Sequence, residues 1–409
     1  KFVYLKEENK MRDIPFSPPD ITEDEINEVV RVLKSGWITT GPESRTLEKK
    51  VSEYVGTDHT VCFNSCTAAM ELALRMLGIG EGDEVITTAY TYTASASVVK
   101  HVGAKLVLAD TAPDSFLIDC DSLEGLINER TKAIIPVNVG GKVCDQRRIR
   151  EIIESKRSVY KPNDKNALQK AFGRVVILSD SAHGLGATRY NIPSGRLADF
   201  TAFSFHAVKN LTTAEGGAIT WTNIDGIDND ELERMFRVYS LHGQTKDAFS
   251  KMQLGAWEYD IIAPAYKCNM PDVLAAIGVK QLERYDSLLN RRHEIIKMYD
   301  SVFLPMGLEP MIHSGDDFRS SGHLYLLRIP GYDTQKRNEL IIRLAEKHIT
   351  TNVHYKPLPM LTAYKNLGFD IKDFPNAYHQ YENEITLPLH TLLTDEDVMY
   401  VAENVKSLI

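Results

Sequence analysis

The stretch SFHAVKNLTTAEGGAI, residues 204–219, places one lysine, Lys209, in an otherwise apolar run. A buried lysine without a partner is costly, so Lys209 either lies solvated in a surface turn, as most loop lysines do, or its amine is used as an amine. A lysine in a low-dielectric cleft has a lowered pKa and can form a Schiff base with an aldehyde. The residue type permits this chemistry but does not by itself require it.

Two further polar signals follow predicted strands. Asp180 ends the apolar run RVVILSD, and His183 comes three residues later. An acid in that position either contacts a ligand or caps the next turn. The motif FNSCTAAM is a polar turn that opens a helix, where the free backbone N–H groups near Cys66 and Thr67 form a natural phosphate site. Serine and threonine before a helix are also ordinary caps, so this signal alone is weak.

Together these signals suit pyridoxal 5'-phosphate (PLP). This cofactor needs a lysine for its aldehyde, an acid for its ring nitrogen, an aromatic ring and an anion cradle. The acid keeps the pyridine ring protonated, and the protonated ring is the electron sink for the reaction. The segment TTAYTYTASAS offers Tyr90 and Tyr92 as aromatic candidates.

The strands that must position these residues alternate with helices from about residue 60. The predicted strands are HTVCF, DEVITTA, KLVLAD, TKAIIPVNV, RVVILSDSAH, DFTAFSF and GGAITWT. Short apolar strands that alternate with helices indicate a mostly parallel α/β sheet, which binds ligands at the carboxyl ends of its strands. We therefore expect an α/β fold with a mostly parallel, seven-stranded sheet.

The pattern differs at both ends of this region. Two amphipathic helices come first, and residues 154–173 are charged and irregular, which indicates a surface insertion. After about residue 265, MPDVLAAIGVKQLERYDSLLNRRHEIIKMYDSVF predicts one long helical stretch, followed by strands and helices in a mixed pattern. We predict a large α/β domain over residues 1–265, with an N-terminal helical segment, and a smaller α+β domain over residues 266–409.

Composition excludes several classes of protein. The chain has 47 Lys+Arg and 56 Asp+Glu, a net charge of -9, which disfavours a nucleic-acid or anionic-membrane surface. Its five cysteines are scattered without C-x-x-C spacing, so neither a metal site nor a disulfide framework is supported. No signal-peptide core opens the chain, and no run reaches the ~20 apolar residues of a membrane span. We expect a cytoplasmic protein with reduced thiols.

Eight motifs occur in one order along the chain: SGWITTGPESRTLEKKVSEYVG, NSCTAAM, GDEVITTAYTYTAS, DSAHGLGA, SFHAVKNLTTAEGG, YKCNMPDVLAAIGVKQLERYD, HYKPL and LPLH. In this order they resemble the DegT/DnrJ/EryC1/StrS family of sugar aminotransferases over nearly the whole length. The resemblance implies the aspartate aminotransferase-like fold of PLP-dependent transferases, fold type I. It also implies PLP as the cofactor, with pyridoxamine phosphate (PMP) as an intermediate form.

The resemblance implies roles at the cofactor ring. Lys209 matches the lysine that forms the Schiff base and carries the proton, and Asp180 matches the acid facing the ring nitrogen. His183 matches the position beside the ring hydroxyl, and Tyr92 matches the aromatic that stacks on the ring.

A second set of positions matches the family's phosphate site. Cys66 and Thr67 match a Gly-Thr pair, and Ser204 matches a serine that reaches the same phosphate. In YKCNM, Lys267, with Asn269 as the other candidate, matches a residue that reaches the phosphate of the neighbouring subunit. The resemblance therefore implies a homodimer with shared active sites.

The implied reaction moves an amino group from L-glutamate to a nucleotide-linked keto sugar, as in the biosynthesis of bacterial amino sugars and surface polysaccharides. The acceptor that we expect is a UDP- or dTDP-4-keto-6-deoxyhexose. The expected sugar contacts come from the WITTG loop and from NVHYKP: Trp37, Thr39, Thr40, His354 and Tyr355.

The chain departs from the family pattern at several points. Cys66 replaces the usual glycine, Asn138 stands where many members have histidine, and residues 154–173 are longer than usual. Related sugar dehydratases have histidine in place of the Schiff-base lysine, so Lys209 favours transamination. Two alternatives stay open: a PLP/PMP-dependent sugar dehydratase of the same fold, and a catalytically silent PLP-binding regulatory protein.

Overall fold

The computed structural model describes residues 12–246 and 258–409. The first eleven residues of the predicted large domain, and residues 247–257 within it, lie outside the described residues. Of the described chain, the helices in chain order are α1 (Glu23–Ser35), α2 (Pro42–Val55), α3 (Cys66–Met76), α4 (Ala94–His101), α5 (Leu123–Leu126), α6 (Gln146–Ser155), α7 (Ala167–Phe172), α8 (Asn229–Ser240), α9 (Asp272–Glu283), α10 (Tyr285–Phe303), α11 (Thr334–Ala345), α12 (Thr362–Lys365), α13 (Pro375–Glu382) and α14 (Asp395–Leu408).

The strands in chain order are β1 (His59–Phe63), β2 (Glu84–Thr88), β3 (Lys105–Ala109), β4 (Thr131–Ile135), β5 (Val176–Asp180), β6 (Thr188–Arg189), β7 (Ile192–Pro193), β8 (Phe200–Ser204), β9 (Gly217–Trp221), β10 (Glu309–Pro310), β11 (Phe318–Arg319), β12 (Tyr325–Arg328) and β13 (Glu384–Leu387). Each of the seven strands that the sequence predicts in the large sheet is present.

The large sheet has the strand order β1-β9-β8-β5-β4-β2-β3. Strands β3, β2, β4, β5 and β8 run parallel to one another, whereas β9 runs antiparallel to both of its neighbours, β1 and β8. Every residue of β2, β4 and β5 is buried, as expected for a parallel sheet covered by helices on both faces. The predicted seven-stranded, mostly parallel α/β sheet is confirmed.

Helix α1 is capped at its amino end and stops at a glycine. The Thr22 backbone N–H donates to the Glu25 carboxylate at 2.7 Å, which satisfies a donor at the start of α1. Gly36 ends α1 with a φ of 75°, in the left-handed region that glycine adopts readily.

The predicted single long helix is wrong, because it breaks at Arg284 into α9 and α10. The Arg284 guanidinium donates to the Glu25 carboxylate at 2.7 Å and to the Asp20 backbone carbonyl at 2.6 Å. Apolar residues continue at helical spacing through the break, so periodicity alone cannot reveal it. The contacts with Asp20 and Glu25 occur at the residue where the helix is interrupted.

Residues 154–173 are mostly exposed, as expected of a surface insertion, but they are not irregular throughout. They contain α7, and two of their side chains reach the end of α3. Asn166 donates to the Met76 carbonyl at 2.9 Å, and Gln169 donates to the Leu77 carbonyl at 2.7 Å. The segment therefore satisfies carbonyl groups at the carboxyl end of α3.

The last part of the chain builds a second, smaller sheet. It is antiparallel, with the order β10-β12-β13, and apolar residues of α10, α11 and α14 form a separate core with it. Helix α9 instead packs on α1 and α2, and Leu358 is buried within the core of the large sheet. The division of the chain at residue 265 stays a prediction.

Across residues 12–246 and 258–409, no helix combines the length and apolar character needed to span a bilayer. The same two ranges contain no cluster of three or more His, Cys, Asp or Glu side chains suited to holding a metal ion.

Candidate active site

A cavity of about 500 Å³ lies at the carboxyl edge of the large sheet. The residues that follow β1, β2, β4, β5 and β8 all contribute to its wall, and the loop before the reversed strand β9 closes one side. Its lining includes Ser65, Cys66, Thr67, Thr91, Tyr92, Asn138, Asp180, His183, Ser204, Lys209, Glu215, Gly216, Asn352, His354 and Tyr355. Nine of the candidate residues predicted from the sequence are in this set.

Lys209 lies on the loop that joins β8 to β9, and its side chain lines the cavity. The Lys209 backbone N–H donates to the His206 carbonyl at 2.9 Å, and buried Phe205 and Leu211 anchor the loop. Burial lowers the pKa of the Lys209 amine to about 8, against the opposing effect of Asp180. The amine therefore exchanges a proton readily near neutral pH.

Asp180 ends β5 and is buried against the same cavity. The Ser95 hydroxyl donates to its Oδ2 at 2.7 Å, and the Ala182 N–H donates to its Oδ1 at 3.1 Å. Burial raises the pKa of Asp180, whereas these two hydrogen bonds and the Lys209 charge act in the opposite direction. Each carboxylate oxygen keeps a further lone pair for a ligand.

His183 is held from both sides of its ring. The Gly140 N–H donates to Nδ1 at 3.2 Å, and Nε2 lies 3.1 Å from the hydroxyl of Tyr355. Burial and the Lys209 charge lower the pKa of His183 well below its ordinary range, so the ring is neutral. The structure thus joins His183 to Tyr355, a residue that we predict to contact the sugar.

The amino end of α3 forms the floor of a possible anion cradle. Ser65 caps the helix by accepting from the Ala68 N–H at 3.1 Å, and the N–H groups of Cys66 and Thr67 precede the first intrahelical bonds. Burial raises the pKa of the Cys66 thiol well above its ordinary value, so it stays protonated. Ser204 lines the same cavity from the end of β8.

Tyr92 stands at the mouth of the cavity, where its side chain is 63% exposed. Its ring centroid lies 6.3 Å from that of Tyr355. The ring is therefore free to lie along a planar ligand that enters the cavity.

Five predicted residues do not line this cavity, and they lie near one another. The Asn269 amide donates to the Thr40 hydroxyl at 2.5 Å, and the Lys267 amine donates to the Asn269 side chain. Trp37 donates to the Thr40 carbonyl at 3.3 Å, and the Thr39 carbonyl accepts a hydrogen bond from the backbone at the start of α9. We call Trp37, Thr39, Thr40, Lys267 and Asn269 the remote group.

Sequence reasoning assigned no role to two residues at this site: Asn138, which lines the cavity, and Ser95, which contacts Asp180 from behind the lining. Ser95 lies in TASAS, one turn after Tyr92, but nothing in the sequence links it to Asp180. Asn138 was noted only as a departure, yet its amide donates to the Ser181 hydroxyl at 3.0 Å and accepts from the Cys144 N–H at 2.9 Å. Its polar atoms are thus engaged within the protein.

Comparison with known proteins gives a likeness over nearly the whole chain. A family model described as the DegT/DnrJ/EryC1/StrS aminotransferase family matches residues 19–406. The spore coat polysaccharide biosynthesis protein SpsC of Bacillus subtilis is 38% identical over 405 residues, which cover 97% of each chain. The UDP-4-amino-4-deoxy-L-arabinose–oxoglutarate aminotransferase of Shewanella sediminis is 33% identical over 404 residues, 97% of this chain and 98% of that one.

Among solved structures, the Streptococcus pneumoniae protein Spr1654, named as a sugar aminotransferase, is similar in two cofactor forms. Its PMP form is 56% identical with a TM-score of 0.94, and covers 97% of this chain and 99% of that one. Its PLP form is 54% identical with a TM-score of 0.93, and covers 97% and 98%. The likeness therefore includes the fold over nearly the whole chain.

Proposed function

This chain belongs to the DegT/DnrJ/EryC1/StrS aminotransferase family, and from that premise we propose that it is a PLP-dependent enzyme that transfers the amino group of L-glutamate to a nucleotide-linked keto sugar. The observation that carries the proposal is one cavity that contains the Lys209 amine, the Asp180 carboxylate and the amino end of α3. The acceptor class that we propose is a UDP- or dTDP-4-keto-6-deoxyhexose. The names of the Bacillus and Shewanella relatives support a role in polysaccharide or amino-sugar biosynthesis.

The residues of the cavity fit PLP by their chemistry. Lys209 supplies the amine for the aldehyde, and Asp180 supplies an acceptor for a protonated ring nitrogen. The N–H groups of Cys66 and Thr67, with the Ser204 hydroxyl, supply donors for a phosphate. When bound, PLP provides a pyridine ring that withdraws electrons from the carbon that loses a proton.

In the proposed reaction, Lys209, Asp180 and His183 would have separate roles. The neutral Lys209 amine would accept a proton from the α-carbon of the amino donor and pass it to the cofactor. Nζ would thus act first as a general base and then as a general acid. Asp180 accepts the hydrogen bond of the ring nitrogen and keeps its proton in place. Because His183 is neutral, it adds no second positive charge beside Lys209.

The remote group supports a dimer in which each chain completes the site of the other. Lys267 is exposed, lies beside Asn269 and Thr40, and does not line the Lys209 cavity of its own chain. Exposed apolar side chains, among them Ile26 and Leu33 on α1 and Val208 beside Lys209, offer a surface for the second copy. We propose that Lys267, with Asn269 as the other candidate, reaches the phosphate in the partner's cavity, and that Trp37, Thr39 and Thr40 contact the sugar nucleotide.

Lys209 also decides between reaction classes. The amine at this position supports transamination rather than the histidine-type dehydration, and the intact set of Lys209, Asp180 and Ser204 disfavours a silent regulatory protein. We further propose a cytoplasmic location, in keeping with five unpaired cysteines.

The test is a spectrum of the purified protein with PLP. We expect a visible absorbance band that is absent from Lys209→Ala and present in Lys170→Ala, which alters an exposed lysine on α7. L-Glutamate should convert the band to that of PMP, and a panel of UDP- and dTDP-keto sugars should reverse the conversion. If neither glutamate nor any other amino acid changes the spectrum, the transaminase proposal is wrong.

A further inference from the structure

Both ring nitrogens of His183 are used within the protein. Nδ1 accepts the Gly140 N–H at 3.2 Å, so this nitrogen carries no proton. The proton of the neutral ring therefore lies on Nε2, and Nε2 faces the Tyr355 hydroxyl at 3.1 Å. His183 consequently donates to Tyr355 and has no donor left for a ligand.

This arrangement sets the direction of the Tyr355 hydroxyl proton. Because the oxygen of Tyr355 accepts from His183, its own O–H must point elsewhere. Within residues 12–246 and 258–409, Tyr355 Oη has no other hydrogen-bond partner, and the residue lines the Lys209 cavity. The hydroxyl is thus a donor directed at whatever molecule occupies that cavity.

The surroundings keep Tyr355 protonated. Burial raises the pKa of Tyr355 well above the ordinary value, and the charge of Asp180 acts in the same direction. Lys209 lines the same cavity. A phenol that holds its proton in a partly enclosed site is a strong donor to an anionic oxygen.

We propose that Tyr355, and not His183, donates the hydrogen bond to the anionic ring oxygen of the bound cofactor, and that His183 is a positioning residue that orients Tyr355. This inference rests on the proposed function, because it needs PLP in the Lys209 cavity. The inference gives Tyr355 a role other than the sugar contact. It also assigns to Tyr355 the hydrogen bond to the ring oxygen that the sequence analysis expects of His183.

The test uses the pH midpoint at which the visible band of the bound cofactor changes. The Tyr355 hydroxyl stabilises the deprotonated ring oxygen of the cofactor. Removing the hydroxyl makes the bound cofactor hold its proton more tightly, and this raises the pH midpoint. A hydrogen bond to a charged group predicts that Tyr355→Phe raises it by about one to two pH units. Tyr299→Phe also removes a buried hydroxyl, which donates to the Pro388 carbonyl in the smaller core, and should leave the midpoint unchanged.

His183 variants separate positioning from direct contact. His183→Gln keeps an N–H donor for Tyr355 and should retain a midpoint near that of the unaltered protein, whereas His183→Leu should raise it. The double variant His183→Leu/Tyr355→Phe should shift the midpoint no further than Tyr355→Phe alone, since one residue acts through the other.

Three outcomes overturn the inference. If PLP gives no visible band with the unaltered protein, the proposed function fails and the inference fails with it. If the band forms but Tyr355→Phe leaves the midpoint unchanged and weakens only sugar-nucleotide binding, Tyr355 is a sugar contact and the inference alone fails. If the two single shifts add in the double variant, His183 contacts the ligand by itself.

Discussion

The Ser95 hydroxyl donates a 2.7 Å hydrogen bond to Oδ2 of Asp180, and both side chains are buried at the carboxyl edge of the large sheet. The Thr91 hydroxyl lies 3.0 Å from the same Ser95 oxygen. A buried carboxylate needs such donors to remain ionised, because burial alone raises its pKa. Ser95 therefore governs the charge of the residue that we propose to face the cofactor ring.

Ser95→Ala should weaken PLP binding about tenfold, the equivalent of about 1.4 kcal/mol and near the low end for a hydrogen bond to a charged group. It should also raise the pH below which binding is lost, since Asp180 then takes up a proton more readily. Absorbance titrations between pH 5 and 8 would measure both. The control is Ser97→Ala, which removes a hydroxyl that donates to a carbonyl one turn back in the same helix. Equal effects of the two changes would contradict the role of Ser95.

Lys209→Met should stabilise the cofactor-free protein at pH 7, by on the order of 1–3 kcal/mol. The folded protein lowers the pKa of Lys209 to about 8, from an ordinary value of 10.5. The protonated amine is therefore destabilising below pH 8. The penalty fades as pH rises from 8 towards 10.5, because the folded state then releases its proton before the unfolded state does.

Urea unfolding of the cofactor-free proteins at pH 7 and at pH 10 measures how this stability difference depends on pH. The stability advantage of Lys209→Met over the unaltered protein should shrink at the higher pH. Lys170→Met provides the matched change at an exposed lysine and should give a difference that does not depend on pH. A constant advantage for Lys209→Met would mean that packing, rather than charge, explains it.

Gly217→Ala should disrupt the junction between β9 and α3. A Cβ at this position would lie 2.2 Å from the Cys66 nitrogen and 2.4 Å from the Ser65 carbonyl carbon, both of which are backbone atoms. We expect a loss of about 1–3 kcal/mol in the free energy of unfolding, and weaker PLP binding because the amino end of α3 must shift. Gly125→Ala, whose added Cβ would meet nothing within 4 Å, is the control for both measurements. If the two alanine variants unfold at the same urea concentration, this close contact is not a constraint.

Lys209→Ala and Lys267→Ala should complement each other in a mixed dimer. If Lys267 serves the partner's cavity, one of the two cavities in the heterodimer contains both lysines, and about half of the normal turnover should return. Lys209→Ala paired with Asp180→Asn alters two residues of the same cavity and should not recover, because each site then lacks one of them. A heterodimer that stays as inactive as its parents, or a fully active Lys267→Ala homodimer, would refute the shared site.

The local sequence pattern was sufficient to predict the strands of the large sheet. Apolar runs such as TKAII and VILSD are bounded by polar turns, so their burial and their alternation with helices follow from neighbouring residues. The residues placed at strand ends, Asp180 and Ser204, lie at the expected edge for the same reason. Their roles toward a cofactor stay predictions.

Long-range contacts explain what the sequence did not reveal. The break at Arg284 accompanies contacts with Asp20 and Glu25, and the bond between His183 and Tyr355 joins segments far apart in the chain. Neither partner carries a local signal of the other. The short helix α7 was missed because it has only six residues, and the hydrogen bonds of Asn166 and Gln169 to the end of α3 join segments far apart in the chain.

The reversed strand β9 has a consequence for the mobility of Lys209. Because β8 and β9 are antiparallel neighbours, the loop of residues 205–216 leaves the sheet edge and returns to it, and it closes through a 2.9 Å bond from the Phe205 N–H to the Gly216 carbonyl. Lys209 therefore lies on a short loop whose two ends are fixed at the edge of the sheet. Folding therefore already bears most of the entropic cost of placing the Lys209 amine at the cavity. A carbonyl group that enters the cavity meets the amine at a high effective concentration.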